Sequence, residues 1–339
     1  MTAPAVSRRA FFGAAGAFAA ATGAQARSFV DQTTVVVDAR VIPHFRLGGA
    51  TETRFGRCVF RGGLELSSSH SAFGGLSGMA MDADGGGFLA LSDRGVWLRA
   101  DIRYDGARPV GLANCVMAPM LGPDGRPLSG TRLYDTESLC IDNGVAYVGI
   151  ERAHQVLRFD WARERFAARG RPVPVPPAFG TLPANRGCEG LAVAPPTSPL
   201  AGALIALSER SGGRSEPTKG FILTGPRRGE FRYALKDDFD ATDIAFLPDG
   251  DLLVLERYYR IFRGAGVRIR RIDGATIRPG ALLDGPPVLT ADMGYQIDNM
   301  EALGVHATRE GEIVLTLLSD DNFSFLQRTL LLQFVLTGE

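Results

Sequence analysis

Acidic or hydroxyl residues recur along the chain at the same step of a repeated pattern: Ser77, Glu137, Glu189, Thr242-Asp243 and Glu301. These positions lie 60, 52, 53 and 59 residues apart. Asp135, Asn185 and Asp298-Asn299 stand just before three of them. If the repeats fold alike, these side chains converge on one place. Carboxylates held together without counter-charge repel, and a hard cation with oxygen ligands is one remedy. The expected metal ligands are therefore Glu137, Glu189, Asp243 and Glu301, with Ca²⁺ as the natural ion because it takes 6–8 oxygens. Glu189 and Glu301 are the expected catalytic carboxylates. The alternative is that each acid bonds nearby backbone N–H groups or pairs with an arginine.

A second signature is an acid followed by arginine: Asp93-Arg94, Glu151-Arg152, Glu209-Arg210 and Glu256-Arg257. Each pair ends an apolar run. Adjacent residues on a strand point to opposite faces, so acid and arginine are not expected to pair with each other. Arg94, Arg152, Arg210 and Arg257 are candidates to grip an anionic substrate. The competing expectation is that they brace one repeat against the next.

Other chemistries find little support. Gly75-Leu76-Ser77-Gly78-Met79 ends in Met where a nucleophile elbow needs Gly, and it precedes a β-like repeat, not a strand-to-helix turn. His44, His70, His154 and His306 show no metal-ligand spacing. Cys58, Cys115, Cys140 and Cys188 form no C-x-x-C pair; as disulfides they allow three pairings, and as buried thiols none. Asp320-Asp321-Asn322-Phe323 is rich in oxygen but lacks EF-hand spacing.

The elements that must position these residues can be read from the same repeats. In each, a short apolar run is followed by a turn and a second apolar run. The turns include Asp84-Gly85, Asp142-Asn143-Gly144, Pro248-Asp249-Gly250 and Glu310-Gly311. Asn-Gly and Asp-Gly between apolar runs signal hairpins. Leu252–Leu255 is continuously apolar, as in strands covered on both faces. Third strands follow at Gln155–Asp160 and Phe221–Leu223. About four strands per interval makes a propeller blade. The expected fold is all-β, a single propeller of four-stranded blades. The first strand of each blade would line the axis. Arg328–Leu336 would be the third strand of the fifth repeat, leaving Thr34–Val37 or Arg57–Leu66 to supply its fourth and close the ring. Five repeats are counted; an N-terminal segment forming part of a split blade would make six.

Composition narrows the rest. The 339 residues carry 37 basic and 37 acidic side chains, and the neutral balance speaks against a nucleic-acid partner. The cations are almost all arginine; the lysines are Lys219 and Lys236. The 42 glycines and 20 prolines suit a turn-rich chain. Ser7-Arg8-Arg9-Ala10-Phe11-Phe12, an apolar run to Thr22 and Ala24-Gln25-Ala26 together read as a twin-arginine export signal over residues 1–26. That run is shorter than the ~20 apolar residues a membrane span needs. The expectation is a domain over 27–339 that meets the twin-arginine machinery, then works in the periplasm or outside the cell as a monomer. Without the signal, 35 basic residues face 37 acidic ones.

The chain also resembles the phytase-like family known as "esterase-like activity of phytase". The resemblance rests on Arg61-Gly62-Gly63-Leu64-Glu65-Leu66, Phe73-Gly74-Gly75-Leu76-Ser77-Gly78 and Ser92-Asp93-Arg94-Gly95. It continues through Asn185-Arg186-Gly187-Cys188-Glu189-Gly190-Leu191, Asp298-Asn299-Met300-Glu301-Ala302, Ser319-Asp320-Asp321-Asn322-Phe323 and Gln327-Arg328-Thr329-Leu330. It spans roughly residues 55 to 336 and implies a propeller hydrolase related to phosphate-ester cleavage. Propeller phytases use several Ca²⁺ ions in an acidic cleft, although their motif does not map onto this chain residue by residue. The expected activity is metal-dependent hydrolysis of an ester, phosphate esters included, on a small anionic or ester substrate. The alternatives are a non-catalytic binding propeller and a lactonase of the gluconolactonase type.

Overall fold

The computed structural model describes residues 31–49, 51–214, 216–260 and 264–338. Residues 1–26, where an export signal is expected, lie outside these residues. Five mainly antiparallel sheets follow one another along the chain. Their innermost strands are Leu76–Met81, Thr136–Asp142, Cys188–Val193, Asp240–Phe246 and Asn299–Ala307. Each packs against the next, and the fifth packs against the first, so the sheets form a closed ring of five blades around an axis.

The hairpins form where turn chemistry directs them. Between the first two strands of blade 2, Asn143 and Gly144 both take positive φ (45° and 80°), the pair of left-handed conformations a two-residue hairpin turn needs. The second strands of blades 1 and 3, Gly87–Ser92 and Leu204–Ser208, are buried along their whole length. They are continuous apolar runs because a blade is covered on both faces by its neighbours. Five apolar clusters fill the interfaces, one between each adjacent pair of blades.

Closure comes from the N-terminal side. Cys58–Ser67 pairs antiparallel with Thr329–Leu336 as the fourth strand of blade 5, and Asp38–Ile42 adds outside it. Thr33–Thr34 goes instead to the outer edge of blade 1, opposite Val116 and Met117. The N-terminal segment thus completes blade 5 and hems blade 1. It forms no split sixth blade, because its long strand is fully used against Thr329–Leu336.

All four cysteines are unpaired. Burial pushes the Cys58 and Cys188 thiols up to about 12, so both are inert at neutral pH. Among the described residues no helix is long and apolar enough to cross a membrane.

Leu64 sits on the closing strand, fully buried in the cluster between blades 5 and 1. Leu64→Ala should cost about 2–5 kcal/mol of unfolding free energy, read from the urea midpoint. The exposed Val36→Ala should change it by less than about 0.5 kcal/mol. Equal effects would contradict closure by this strand.

Candidate functional site: an acidic mouth on the propeller axis

Each innermost strand pairs with its neighbour through a register shift of one residue. The shifts leave Ser77, Glu137, Glu189, Thr242 and Glu301 as the extra residue of a β-bulge. A bulge re-aims a side chain that regular pleating would send to a blade face. These are the positions whose recurrence the sequence displays. Three of the five are glutamates, and electrostatic repulsion links Glu137, Glu189 and Glu301 to one another.

A second tier of charge lies two residues earlier, where the second strand ends opposite the first. Asp93 N–H donates to Gly75 O, Glu151 N–H to Asp135 O and Glu209 N–H to Gly187 O; Asp320 stands opposite Asn299. Blades 1, 2, 3 and 5 therefore place an acid at this step. In blade 4 the residue opposite Asp240 is Arg257. Its guanidinium lies 2.9 Å from Glu301 and 3.7 Å from Glu209.

The other arginines are employed differently. Arg210 is 3% exposed; it pairs with Asp240 and donates to the carbonyls of Phe239 and Arg214, bracing blade 3 against blade 4. Arg94 lies over the Phe323 ring, 3.3 Å from its centroid. Arg152 reaches Asp135 at 2.9 Å and donates to the Tyr134 hydroxyl. The anticipated rim of four arginines is thus not one set: only Arg257 joins the glutamates at the axis. Glu256, its sequence neighbour, is buried inside the blade, where Arg268, Arg270 and the Tyr233 hydroxyl donate to it.

Of the four expected metal ligands, Glu137, Glu189 and Glu301 share the bulge tier and Asp243 does not. In blade 4 the bulged residue is Thr242, so Asp243 falls one step further down the strand. There it accepts hydrogen bonds from Ile244 N and, across the blade boundary, Leu303 N. Its carboxylate stitches blade 4 to blade 5.

Among the described residues the tight carboxylate cluster is Asp135, Glu137 and Glu151, whose oxygens lie within 4.8 Å of one another. The sequence marked Glu137 as a ligand, but set Asp135 aside as a flanking residue and read Glu151 only as half of an acid-arginine pair. The recurrence of acids at the ends of the second strands was the available signal for Glu151. Asp135 is 6% exposed, and its Oδ2 is ion-paired with the Arg152 Nε at 2.9 Å. The all-oxygen donor set of three carboxylates within 4.8 Å fits a hard divalent cation.

The electrostatics of the mouth all run one way. Burial first, then repulsion from Glu301, Glu151, Asp135 and Asp93, lifts the Glu137 carboxyl well above the ordinary range. Glu189 is lifted likewise, by burial and then by Glu137, Glu209 and Glu151. Burial raises Asp93, Asp135, Glu151 and Glu301 despite favourable partners, which for Glu301 are Arg257 and Asn299. Glu209 and Asp320 each reach about 7. Eight carboxyls thus hold protons more tightly than usual. The opposite end of the axis is apolar, a hollow of about 380 Å³ lined by residues such as Met79, Leu139, Leu191, Ile244 and Leu303.

A cleft of about 710 Å³ opens beside this mouth, between blades 4 and 5. Arg257, Asn299 and Glu301 contribute to its wall, together with Tyr259, Met293 and Leu326.

Comparison with known proteins sets this geometry in context. The profile of the phytase-like family, described as esterase-like activity of phytase, matches residues 71–323. No curated protein matches the chain. Among solved structures, an oxidoreductase described as a glucose dehydrogenase from Thermus thermophilus is 18% identical; the match covers 87% of this chain and 100% of that one, with a TM-score of 0.35. The PQQ-bound aldose sugar dehydrogenase of Streptomyces coelicolor is 12% identical over 88% of this chain and 98% of that one, with a TM-score of 0.41. Scores this low carry no argument about activity.

Glu209 and Asp320 give a pH dependence with a definite sign. Their folded forms bind protons more tightly than the unfolded chain, whose carboxyls titrate near 4.5 and 3.8. The stability they contribute is full below about pH 4 and is lost as pH rises towards about 7. In metal-free protein, Asp320→Asn and Glu209→Gln should each raise Tm at pH 8 relative to wild type by a few degrees and gain little at pH 4. Asparagine still accepts from the Asn322 N–H that Asp320 binds. A variant that lowers Tm equally at both pH values would contradict the assignment.

Proposed function

The chain belongs to the phytase-like family described as esterase-like activity of phytase, and we propose that it hydrolyses an ester at the acidic mouth of its axis with the help of a divalent cation, Ca²⁺. The observation that carries this reading is the double tier of buried carboxyls with raised proton affinity, opening onto a cleft that reaches Glu301 and Arg257. Structural ion pairs do not need eight acids against Arg257, Arg152 and Arg94. Proton transfer does need carboxyls tuned towards neutrality.

Asp135, Glu137 and Glu151 would hold the cation. When bound, the cation would supply positive charge against the oxyanion that develops during attack on the ester. The remaining work falls to side chains. Glu301, on the cleft wall and hydrogen-bonded by Asn299 at 2.8 Å, accepts a proton from water as the water oxygen bonds to the ester carbon. The bond to the alcohol oxygen then breaks, and Glu189, protonated because burial and its neighbours disfavour its charge, gives that oxygen a proton. The products are an acid and an alcohol. Arg257 donates towards the ester oxygens from the same wall. Arg94 and Arg152 are exposed near the mouth and serve substrate approach; Arg210 keeps the blades in register.

The work is done by a monomer after twin-arginine export, in the periplasm or outside the cell.

Chelation should abolish turnover of carboxylic or phosphate esters, and added Ca²⁺ should restore it. Glu301→Gln should lower kcat about 10²–10⁴-fold with Tm at pH 8 unchanged or raised. Glu137→Gln should raise the Ca²⁺ concentration needed for half-activity. Turnover indifferent to chelation would remove the cation from the reading, and full activity in Glu301→Gln would remove the site.

A further inference from the structure

The cleft between blades 4 and 5 has two unlike parts. Its deep wall is polar, formed by Arg257, Asn299 and Glu301. Its outer wall carries Tyr259, Met293 and Leu326, which are 66%, 55% and 78% exposed. Phe325, 95% exposed, precedes Leu326 in sequence. Tyr259, Met293 and Leu326 are three of the nine large hydrophobic side chains exposed among the described residues. Scattered exposed apolar residues need no explanation, but a cluster rimming a cleft marks a binding surface. The cleft's volume is that of a small-molecule site, whose walls are mostly apolar with a few placed polar groups.

Charge then selects the occupant. Arg257 already faces two carboxylates, Glu301 and Glu209. Arg328, also on the wall, lies against Asp298 and Glu65. A polyanion entering here would meet committed guanidinium groups and a surplus of acid. An uncharged ester would meet no such barrier, and its apolar arm would cover Tyr259, Met293 and Leu326 while its ester group reached Arg257 and Glu301. We propose that this cleft is the subsite for an alkyl or aryl arm, so that the substrate is an uncharged carboxylic ester and not a phosphate polyanion. This rests on the ester-hydrolase reading above.

The test compares kcat/KM, in Ca²⁺, for p-nitrophenyl esters from acetate to octanoate, for alkyl acetates from ethyl to octyl, and for p-nitrophenyl phosphate. Whichever arm enters the cleft should gain up to about fourfold per added methylene, as burial of CH₂ groups predicts. The phosphate ester should be at least about 100-fold poorer than the best carboxylic ester. Leu326→Asp should flatten the length dependence through KM, while Leu282→Asp, an exposed leucine on blade 3, should preserve it. Ligand-observed NMR with octanamide supplies a readout that needs no turnover: saturation transfer should be present in wild type and lost in Leu326→Asp. If no ester is cleaved but octanamide binds in this Leu326-dependent way, the subsite stands and the hydrolase reading falls. If esters are cleaved with no length dependence in either series, or the phosphate ester is preferred, the subsite proposal falls and the hydrolase reading stands. Absence of octanamide transfer in wild type also overturns the proposal.

Discussion

Repulsion among carboxyls confined at one end of the propeller axis is the constraint around which the rest of the molecule is arranged. Carboxylates in water avoid one another cheaply; buried ones cannot, and they must take up protons or share a cation. Here the confinement is built into the backbone. The same one-residue bulge occurs in all five innermost strands, and in three it delivers a glutamate. Interlocking apolar cores between every pair of blades, and an N-terminal strand that closes the ring, keep the acids from relaxing apart. The fold thus sustains an arrangement that its side chains would not choose.

Blade 4 breaks the pattern in a way that divides the mouth. Where the other blades end their second strand with an acid at this step, blade 4 presents Arg257. Its charge serves Glu301 and Glu209, on the side that opens to the cleft. Blade 2 contributes Asp135, Glu137 and Glu151, whose nearby cation is the half-exposed Arg152. One side therefore carries a counter-charge set deep in the mouth and the other only a half-exposed one at its edge. Such a division suits a site that places a metal ion and a substrate side by side.

Much of this was legible in the sequence because repetition exposes geometry. The five recurrent positions turned out to be the bulged residues, and Asn143-Gly144 formed the turn its chemistry demands. Closure by an N-terminal strand was expected from either Thr34–Val37 or Arg57–Leu66, and the second supplies it. What stayed hidden was phase. A bulge shifts the two-residue alternation of a strand, so sequence could not say whether Thr242 or Asp243 faces the axis. Glu256-Arg257 likewise reads as a copy of Glu209-Arg210, yet it sits one residue out of step. Arg257 therefore enters the mouth, while Arg210 turns to Asp240. Three-dimensional neighbours such as Asp135 and Glu151, 16 residues apart in the sequence, are joined only by hairpin pairing.

Calorimetric titration of metal-stripped protein with Ca²⁺ addresses the central claim most directly, because binding need not depend on knowing the substrate. The acidic mouth should bind about one ion. It should release protons on doing so near pH 6.5, detected as a heat that changes with the ionisation enthalpy of the buffer. Both the binding and the proton release should be lost in Asp135→Asn combined with Glu137→Gln. Absence of binding at millimolar Ca²⁺, or binding that survives the double substitution unchanged, would contradict the account.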